Sequence, residues 1–180
     1  MNTPNQPDLT CVPYRRKGLY WALTIPFLLM LVLVFVYLWT INIVLSFGLL
    51  GFFLSMSYFQ SYCCAYQDCP YVGGFCPAVI GILPGNWMAK LLFGNRPFVK
   101  SEKRFHVHVN MGISSWVALG LFPVYWLWQA HWGYAAGYLA AHVVYSIIFG
   151  LTICPVCAIR GTCPGGQFHV WVRNIQSGKS

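Results

Sequence analysis

Acidic side chains are nearly absent from this sequence of 180 residues. Three carboxylates, Asp8, Asp68 and Glu102, stand against eleven Lys and Arg residues, which gives a net charge of +8. A hydrolase that works through paired carboxylates therefore lacks its parts, and none of the three acids lies inside an apolar run, where a membrane proton relay would need it. The sequence also lacks a phosphate-cradling glycine loop and the serine, histidine and acid set of a hydrolase triad.

Charge of either sign is scarce, whereas apolar side chains are abundant. Charged residues make up 8% of the chain and hydrophobic residues 58%, and the mean hydropathy is +0.59. These values are typical of a membrane protein. Four apolar segments have about the 20 residues needed to cross a bilayer; they are 19–40, 43–61, 106–128 and 133–153. We therefore predict an all-α integral membrane protein with four transmembrane helices.

Short links between the apolar segments indicate how the helices pair. The first two and the last two segments are each joined by a tight turn, so we expect two antiparallel hairpins. Each half runs from a basic cluster through an apolar pair to a group of cysteines, which indicates a diverged parallel repeat, with chance similarity as the alternative. A shorter apolar stretch, 78–95, is interrupted by Pro84 and Gly85 and predicts an interfacial helix.

Five units follow from this pattern. They are 1–18, a cytoplasmic tail; 19–61, the first transmembrane hairpin; 62–105, a cysteine-rich and basic loop; 106–153, the second hairpin; and 154–180, a cysteine-containing tail. Lys and Arg residues occur in the tails and the central loop, and the two short turns have none. Since short basic loops stay in the cytoplasm, we expect a multi-pass protein of the inner (cytoplasmic) membrane with both termini cytoplasmic.

The opposite interface is marked by aromatic residues. Trp126, Trp128 and Trp132 lie close together around the second turn, as in the aromatic belts of membrane proteins. Contact with the lipid bilayer and its anionic head groups explains both this belt and the positive charge, so no nucleic-acid partner is expected.

Cysteine is in excess, because the chain has eight and seven of them fall into two clusters. The first cluster reads Cys63-Cys64-x4-Cys69-Pro70-x5-Cys76-Pro77, and the second reads Cys154-Pro155-x-Cys157-x5-Cys163-Pro164. Since disulfides do not persist in a reducing cytoplasm, grouped cysteines there more often bind metal or do redox chemistry. The predicted metal ligands are Cys69, Cys76, Cys154, Cys157 and Cys163, with Cys64 next. Adjacent Cys63 and Cys64 point in different directions on a helix, so at most one of them ligates the same centre.

Several thiolates on one face of the membrane favour a soft metal, and zinc, copper(I) and iron–sulfur clusters all take such ligands. Four of the cysteines precede proline, as the last cysteine of the bacterial ferredoxin run does, although the full run is absent. The leading prediction is an iron–sulfur cluster, of the 4Fe-4S type. Zinc, thiol-based redox chemistry and plain packing of buried thiols are the alternatives.

Three histidines are predicted cofactor-binding residues. His142 falls near the middle of the fourth segment, and an ionisable side chain at that depth predicts a quinone, haem or proton site, with a hydrogen-bonded core histidine as the alternative. His106 and His108 begin the third segment, where they suit a mixed Cys/His metal site, a quinone head group or a plain interfacial role. Being two apart, they face opposite sides of a helix. The unequal depths disfavour a bis-histidine haem and leave a single axial histidine open.

Together these features predict a membrane electron-transfer subunit whose Cys-ligated centre faces the cytoplasm and links a soluble redox partner to quinone. The sequence offers no catalytic residue set, so enzymatic activity is expected only from a larger oxidoreductase complex. Two alternatives from other classes stay open. One is a transporter or sensor for soft metal ions, and the other is a structural or assembly protein with a zinc site.

Overall fold

Helices make up nearly all of the described chain. The computed structural model describes residues 16–69, 84–93, 100–156 and 167, and these contain no β-strand. The helices are α1, Lys17–Ile41; α2, Ile43–Tyr66; α3, Pro84–Phe93; α4, Glu102–Leu121; α5, Val124–Ala130; and α6, Trp132–Thr152, which is followed by a short 3-10 turn at Cys154–Val156.

Four spans of this structure are long and apolar enough to cross a membrane, namely α1, α2, the α4–α5 pair and α6. Most exposed side chains on these spans are apolar; Leu33 and Val44, for example, are 70% and 69% exposed. A helix satisfies its backbone hydrogen bonds within the segment, as a hydrocarbon environment demands. For the described residues, the prediction of an all-α chain with four helices long and apolar enough to cross a membrane is confirmed.

The third apolar segment differs from its prediction, because it is not one helix over 106–128. Its first part begins earlier, at Glu102, and ends at Leu121, and a second helix begins at Val124. Pro123 lies between the two and is buried. Proline has no amide hydrogen and its ring clashes with the preceding turn, so it separates α4 from α5.

The second segment is longer than predicted, because α2 continues beyond residue 61 to Tyr66. Ser61, Tyr62 and Cys64 in this extra turn are buried. These side chains are less apolar than the preceding run, and hydropathy alone therefore places the end of the helix too early. Tertiary packing holds the extra turn, which carries Cys63 and Cys64 of the first cysteine cluster.

The four spans form a ring in the order α1, α2, α4 and α6, and each neighbouring pair is antiparallel. The contacts that define this arrangement are Phe35–Ser46 and Trp39–Phe47 for α1 with α2, Ser55–Ser115 and Tyr66–Phe105 for α2 with α4, Trp116–Ser146 and Gly120–His142 for α4 with α6, and Tyr20–Phe149 and Thr24–Tyr145 for α1 with α6. Helix α4 packs more extensively on α2 than on α6. Since every span has two neighbours, the grouping into two hairpins remains a prediction.

The two turns at one end of the ring are built alike. Asn42 alone separates α1 from α2, and its side chain accepts a hydrogen bond from the Val44 amide at 2.8 Å. His131 alone separates α5 from α6, and its Nδ1 accepts from the Gly133 amide at 3.0 Å. Both residues are extended, and each side chain satisfies an amide of the helix that follows.

The other end of the ring collects the start of α1, the end of α2, the start of α4 and the end of α6. Cys64, Cys69 and Cys154 lie there, and we call it the cysteine end. Exposed basic side chains surround it: Arg16, Lys17, Lys100, Lys103 and Arg104. The end with the Asn42 and His131 turns, over residues 39–45 and 122–134, has no Lys or Arg.

Helix α3 packs on α2 near the cysteine end. Its Ala89 is 1% exposed, whereas Leu91 is 68% exposed, and the Phe93 ring lies 5.9 Å from that of Tyr62. The helix thus has one face on the protein and one away from it. Its predicted place at the membrane interface remains a prediction.

Candidate functional site

A backbone turn at the end of α2 brings two predicted metal ligands together. The Cys69 amide donates to the Cys64 carbonyl at 3.0 Å, and the Asp68 amide donates to the Ala65 carbonyl at 3.3 Å. This pair of bonds is the Schellman motif that often ends helices. It folds the chain back so that Cys69 lies against the last turn of α2, next to Cys64. Both cysteines are 7% exposed.

Asp68 makes this turn possible through its backbone, which has a φ of 50°. That conformation usually takes glycine, and among other residues Asp and Asn adopt it most readily. The Asp68 carboxylate also pairs with the Lys100 ammonium group. This ion pair links the turn to the segment before α4. Because the Asp68 and Lys100 side chains are 71% and 48% exposed, water screens the pair, and it adds little to the stability of the fold.

Cys154 follows α6 at the same end of the ring. Ile153 before it is fully buried, and Cys154 is partly buried against the hydrophobic core. The Arg16 guanidinium group donates to the Thr152 carbonyl, so the start of α1 is fixed beside the end of α6. Cys154 therefore lies at the same end of the ring as Cys64 and Cys69. It follows α6, which is diagonally opposite α2 in the ring.

Three of the six predicted metal ligands, Cys76, Cys157 and Cys163, lie outside the described residues. Within residues 16–69, 84–93 and 100–156, no group of three or more His, Cys, Asp or Glu side chains is close enough together to hold a metal ion. The described chain therefore brings together the pair Cys64 and Cys69, and Cys154 comes from another span. Cys63 is less buried than Cys64, as expected for adjacent helical residues that point in different directions.

His106 and His108 occupy different surroundings, as their spacing predicts. His106 is exposed, and its Nε2 lies 3.8 Å from the Glu102 carboxylate. The His108 ring stacks on Tyr62 with 3.8 Å between centroids, and its Nδ1 lies 2.7 Å from the Arg104 carbonyl. Since a carbonyl only accepts, Nδ1 of His108 carries the proton in this bond and Nε2 is the nitrogen left for another partner.

His142 is enclosed by aromatic rings at the level where α1, α4 and α6 meet. It is 7% exposed. Its ring centroid lies 4.2 Å from that of Trp116 on α4 and 5.5 Å from that of Phe27 on α1. A Cβ atom placed on Gly120 would lie 3.0 Å from the Cδ2 and Nε2 atoms of the imidazole. The glycine therefore permits the close approach of the ring to α4.

The polar side chains around His142 are paired with one another or with backbone. The Tyr138 hydroxyl donates to the Leu119 carbonyl at 2.8 Å, and the Trp116 indole donates to the Ser146 hydroxyl at 3.2 Å. Neither ring nitrogen of His142 has a hydrogen-bond partner in the described chain. The Trp116 carbonyl faces the ring without reaching hydrogen-bond geometry. A buried group left in this state costs about 1–3 kcal/mol.

Sequence reasoning identifies His142, but it misses Trp116 and Gly120. The two lie one helical turn apart on α4, and small residues such as Gly120 are common where membrane helices pack closely. That pattern shows which face of α4 packs, although not which helix it meets. The contact with His142 depends on the order of the spans around the ring.

Comparison of the chain with protein-family models, with curated proteins and with solved structures finds no match. The function of this chain is therefore inferred from the geometry of the cysteine end and of the His142 surroundings.

Proposed function

We propose that this chain is a membrane subunit for electron transfer. In this proposal its cysteine end holds a thiolate-ligated centre, an iron–sulfur cluster of the 4Fe-4S type, and links a soluble redox partner to quinone in the bilayer. The observation that carries the proposal is the turn at Asp68, which joins the backbones of the buried residues Cys64 and Cys69 at the end of the ring that also bears Cys154.

The donor set fits such a centre, because thiolates are the ligands that iron–sulfur clusters take. Cys64 and Cys69 come from one turn, so their backbone positions are fixed relative to each other before any metal binds. Cys154 begins the Cys154-x2-Cys157 pair, whose spacing allows two sulfurs of one turn to reach the same centre. When bound, a cluster of this kind supplies reversible reduction at a potential set by burial and hydrogen bonding.

Neighbouring side chains limit the access of water to the cysteine pair. Tyr66, in the same helical turn as Cys63 and Cys64, stacks on Phe105 of α4 at 4.4 Å between centroids. Tyr62 stacks on His108 one turn further into the ring. These aromatic contacts lower the polarity on one side of the turn. They support a buried centre rather than an exposed metal-capture site.

The charge distribution supports the orientation that we propose. In the described chain every Lys and Arg lies at the cysteine end or on α3, which packs beside it. The positive-inside rule then puts this end in the cytoplasm of a cell with an inner membrane, with both tails on that side and α3 at the interface. Exposed Lys103 and Arg104 offer a docking surface for an acidic soluble partner as well as for anionic lipid.

The test is the metal and acid-labile sulfide content of anaerobically purified protein, with EPR spectra before and after dithionite. We expect iron with matching sulfide and a signal that appears on reduction. The Cys69→Ser variant should lose at least half of the iron and change the signal, because it removes one thiol of the fixed pair. Cys63→Ser is the matched control and should keep both, since Cys63 points away from Cys64.

Other outcomes would replace the proposal by a named alternative. Zinc without iron, together with unfolding on chelation, would indicate a structural zinc site. Protein without a redox-active metal that takes up soft cations into vesicles would indicate a transporter. Equal loss of iron in Cys63→Ser and Cys69→Ser would contradict the role of the turn.

A further inference from the structure

We infer that His142 binds the head group of a lipid-soluble quinone at the contact between α4 and α6. This inference rests on the proposed function and assigns its quinone site to one of the three candidate histidines. It begins from the two nitrogens of His142, which are buried at mid-depth in α6 and have no hydrogen-bond partner among residues 16–69, 84–93 and 100–156. A hydrocarbon environment offers such a group no water in place of a protein partner.

The two other candidate histidines already have polar contacts. His108 uses Nδ1 on the Arg104 carbonyl, and His106 faces the Glu102 carboxylate in an exposed position. His142 also lies deeper in the ring of helices than the cysteine end. It comes twelve positions before Cys154, which corresponds to a distance of roughly 18 Å along a helix. A ligand that reaches His142 must therefore come from the lipid phase.

The contact between α4 and α6 is the place where a ligand can approach from the lipid. It is less extensive than the contact between α4 and α2. Small residues lie on both helices there: Gly120 on α4 beside the imidazole, and Ser146 on α6, one turn from His142 and bonded to the Trp116 indole. Outside this contact the surface is apolar, with Val117 and Val143 49% and 52% exposed.

The chemistry of the site fits a quinone. A neutral imidazole has one N–H donor and one acceptor nitrogen. A quinone carbonyl accepts a hydrogen bond and a quinol hydroxyl donates one, so His142 can pair with either redox form by using one nitrogen or the other. The rings of Trp116 and Phe27 give His142 aromatic surroundings, which suit a planar aromatic head group.

Trp116 provides a direct measurement. We would titrate the full-length protein in lipid nanodiscs with decylubiquinone, without an electron donor, and follow tryptophan fluorescence. The saturable quenching that is present in the unmodified protein and absent in Trp116→Phe reports on this site. We expect His142→Leu to weaken the affinity about tenfold and His142→Gln, which keeps a donor and an acceptor, to stay within about threefold. His106→Leu is the control and should bind as the unmodified protein does.

A photoreactive azidoquinone on the unmodified protein keeps the inference testable if a variant fails to fold. We expect labelled peptides to include residues from 116–120 or 138–146. Labelling confined to the cysteine end, or an affinity unchanged in well-folded His142→Leu, would overturn the inference and leave His142 a packing residue of the core. Because the assay needs no metal, Cys69→Ser should bind quinone normally. A protein without iron that still shows this quenching would disprove the proposed function and keep the site.

Discussion

The cysteine end and the surroundings of His142 both carry predicted cofactor residues, but different interactions position them. At the cysteine end, Cys64 and Cys69 are five residues apart and are joined by one backbone turn. At the level of His142, the neighbours Phe27 and Trp116 come from two other helices and touch it through ring contacts. The first arrangement is local to the chain, whereas the second exists only when the ring of helices is assembled.

Because different interactions position the two sites, we expect them to respond differently to substitutions. A substitution in the turn at Asp68 can move the thiols while the helices stay in place. A substitution in the core must disturb both sites at once, because α6 bears His142 and ends beside Cys154. Three variants test this contrast, and they are ordered from the largest expected effect to the smallest.

The largest effect is expected from Phe149→Ala. Phe149 is 1% exposed, and its ring lies 5.8 Å from that of Tyr20 and 5.5 Å from that of Tyr145. Removing a buried aromatic side chain lowers the free energy of unfolding by about 3–5 kcal/mol. We expect a loss of this size in reversible unfolding in mixed micelles, together with weaker metal retention and weaker quinone binding.

The lipid-facing residue Leu33 is the control for this variant. It is 70% exposed, and Leu33→Ala should change the free energy of unfolding by no more than about 0.5 kcal/mol. Equal losses for Phe149→Ala and Leu33→Ala would mean that the aromatic contacts do not hold the ring of helices together.

An intermediate effect is expected from Asp68→Val. A β-branched residue at a φ of 50° costs about 1–2 kcal/mol, so the turn should open and Cys69 should move away from Cys64. We expect the iron content of the purified protein to fall by at least half, while quinone quenching of Trp116 stays normal. Such a result would separate the cysteine end from the level of His142.

The matched variant Asp68→Gly removes the same carboxylate but suits the same backbone conformation. It should keep its iron, although the pair with Lys100 is lost. If Asp68→Gly loses as much iron as Asp68→Val, the ion pair and not the backbone positions the thiols.

The smallest effect is expected from Thr24→Val. The Thr24 hydroxyl lies 3.2 Å from the Tyr145 hydroxyl in a buried contact between α1 and α6. Hydrogen bonds between membrane helices contribute on average about 0.6 kcal/mol, so the free energy of unfolding should fall by about this amount. Thr40→Val is the control, because the hydrogen bond that Thr40 donates in the described chain is local, to the Tyr37 carbonyl at an exposed position. An equal loss in Thr40→Val would show that the contact between α1 and α6 adds nothing specific.

The number and nature of the spans are predictable from the sequence, because hydrocarbon requires long apolar helices with internally satisfied backbones. The links at Asn42 and His131 are predictable too, since both fall between apolar runs where polar residues interrupt them. The break at Pro123 is missed because the apolar run continues through it. The last turn of α2 is missed because its side chains are buried without being strongly apolar.

The candidate sites are predictable only in part. Composition and spacing identify the cysteines and His142 as residues of interest. The turn at Asp68 has no clear signal, because glycine, its usual marker, is absent at that position. The packing of Trp116 and Gly120 on His142 depends on which helices are neighbours. Hydropathy carries no such information, since all four spans have apolar surfaces.

The one-residue turns at Asn42 and His131 make the two ends of the protein unequal for anything that approaches from water. At that end the chain reverses within a single residue twice, and the residues around the two turns include no Lys or Arg. These one-residue turns therefore offer no extended loop to which a protease, an antibody or a soluble protein could bind. Under the proposed function, soluble partners therefore dock at the cysteine end, and a reporter attached for study belongs there as well.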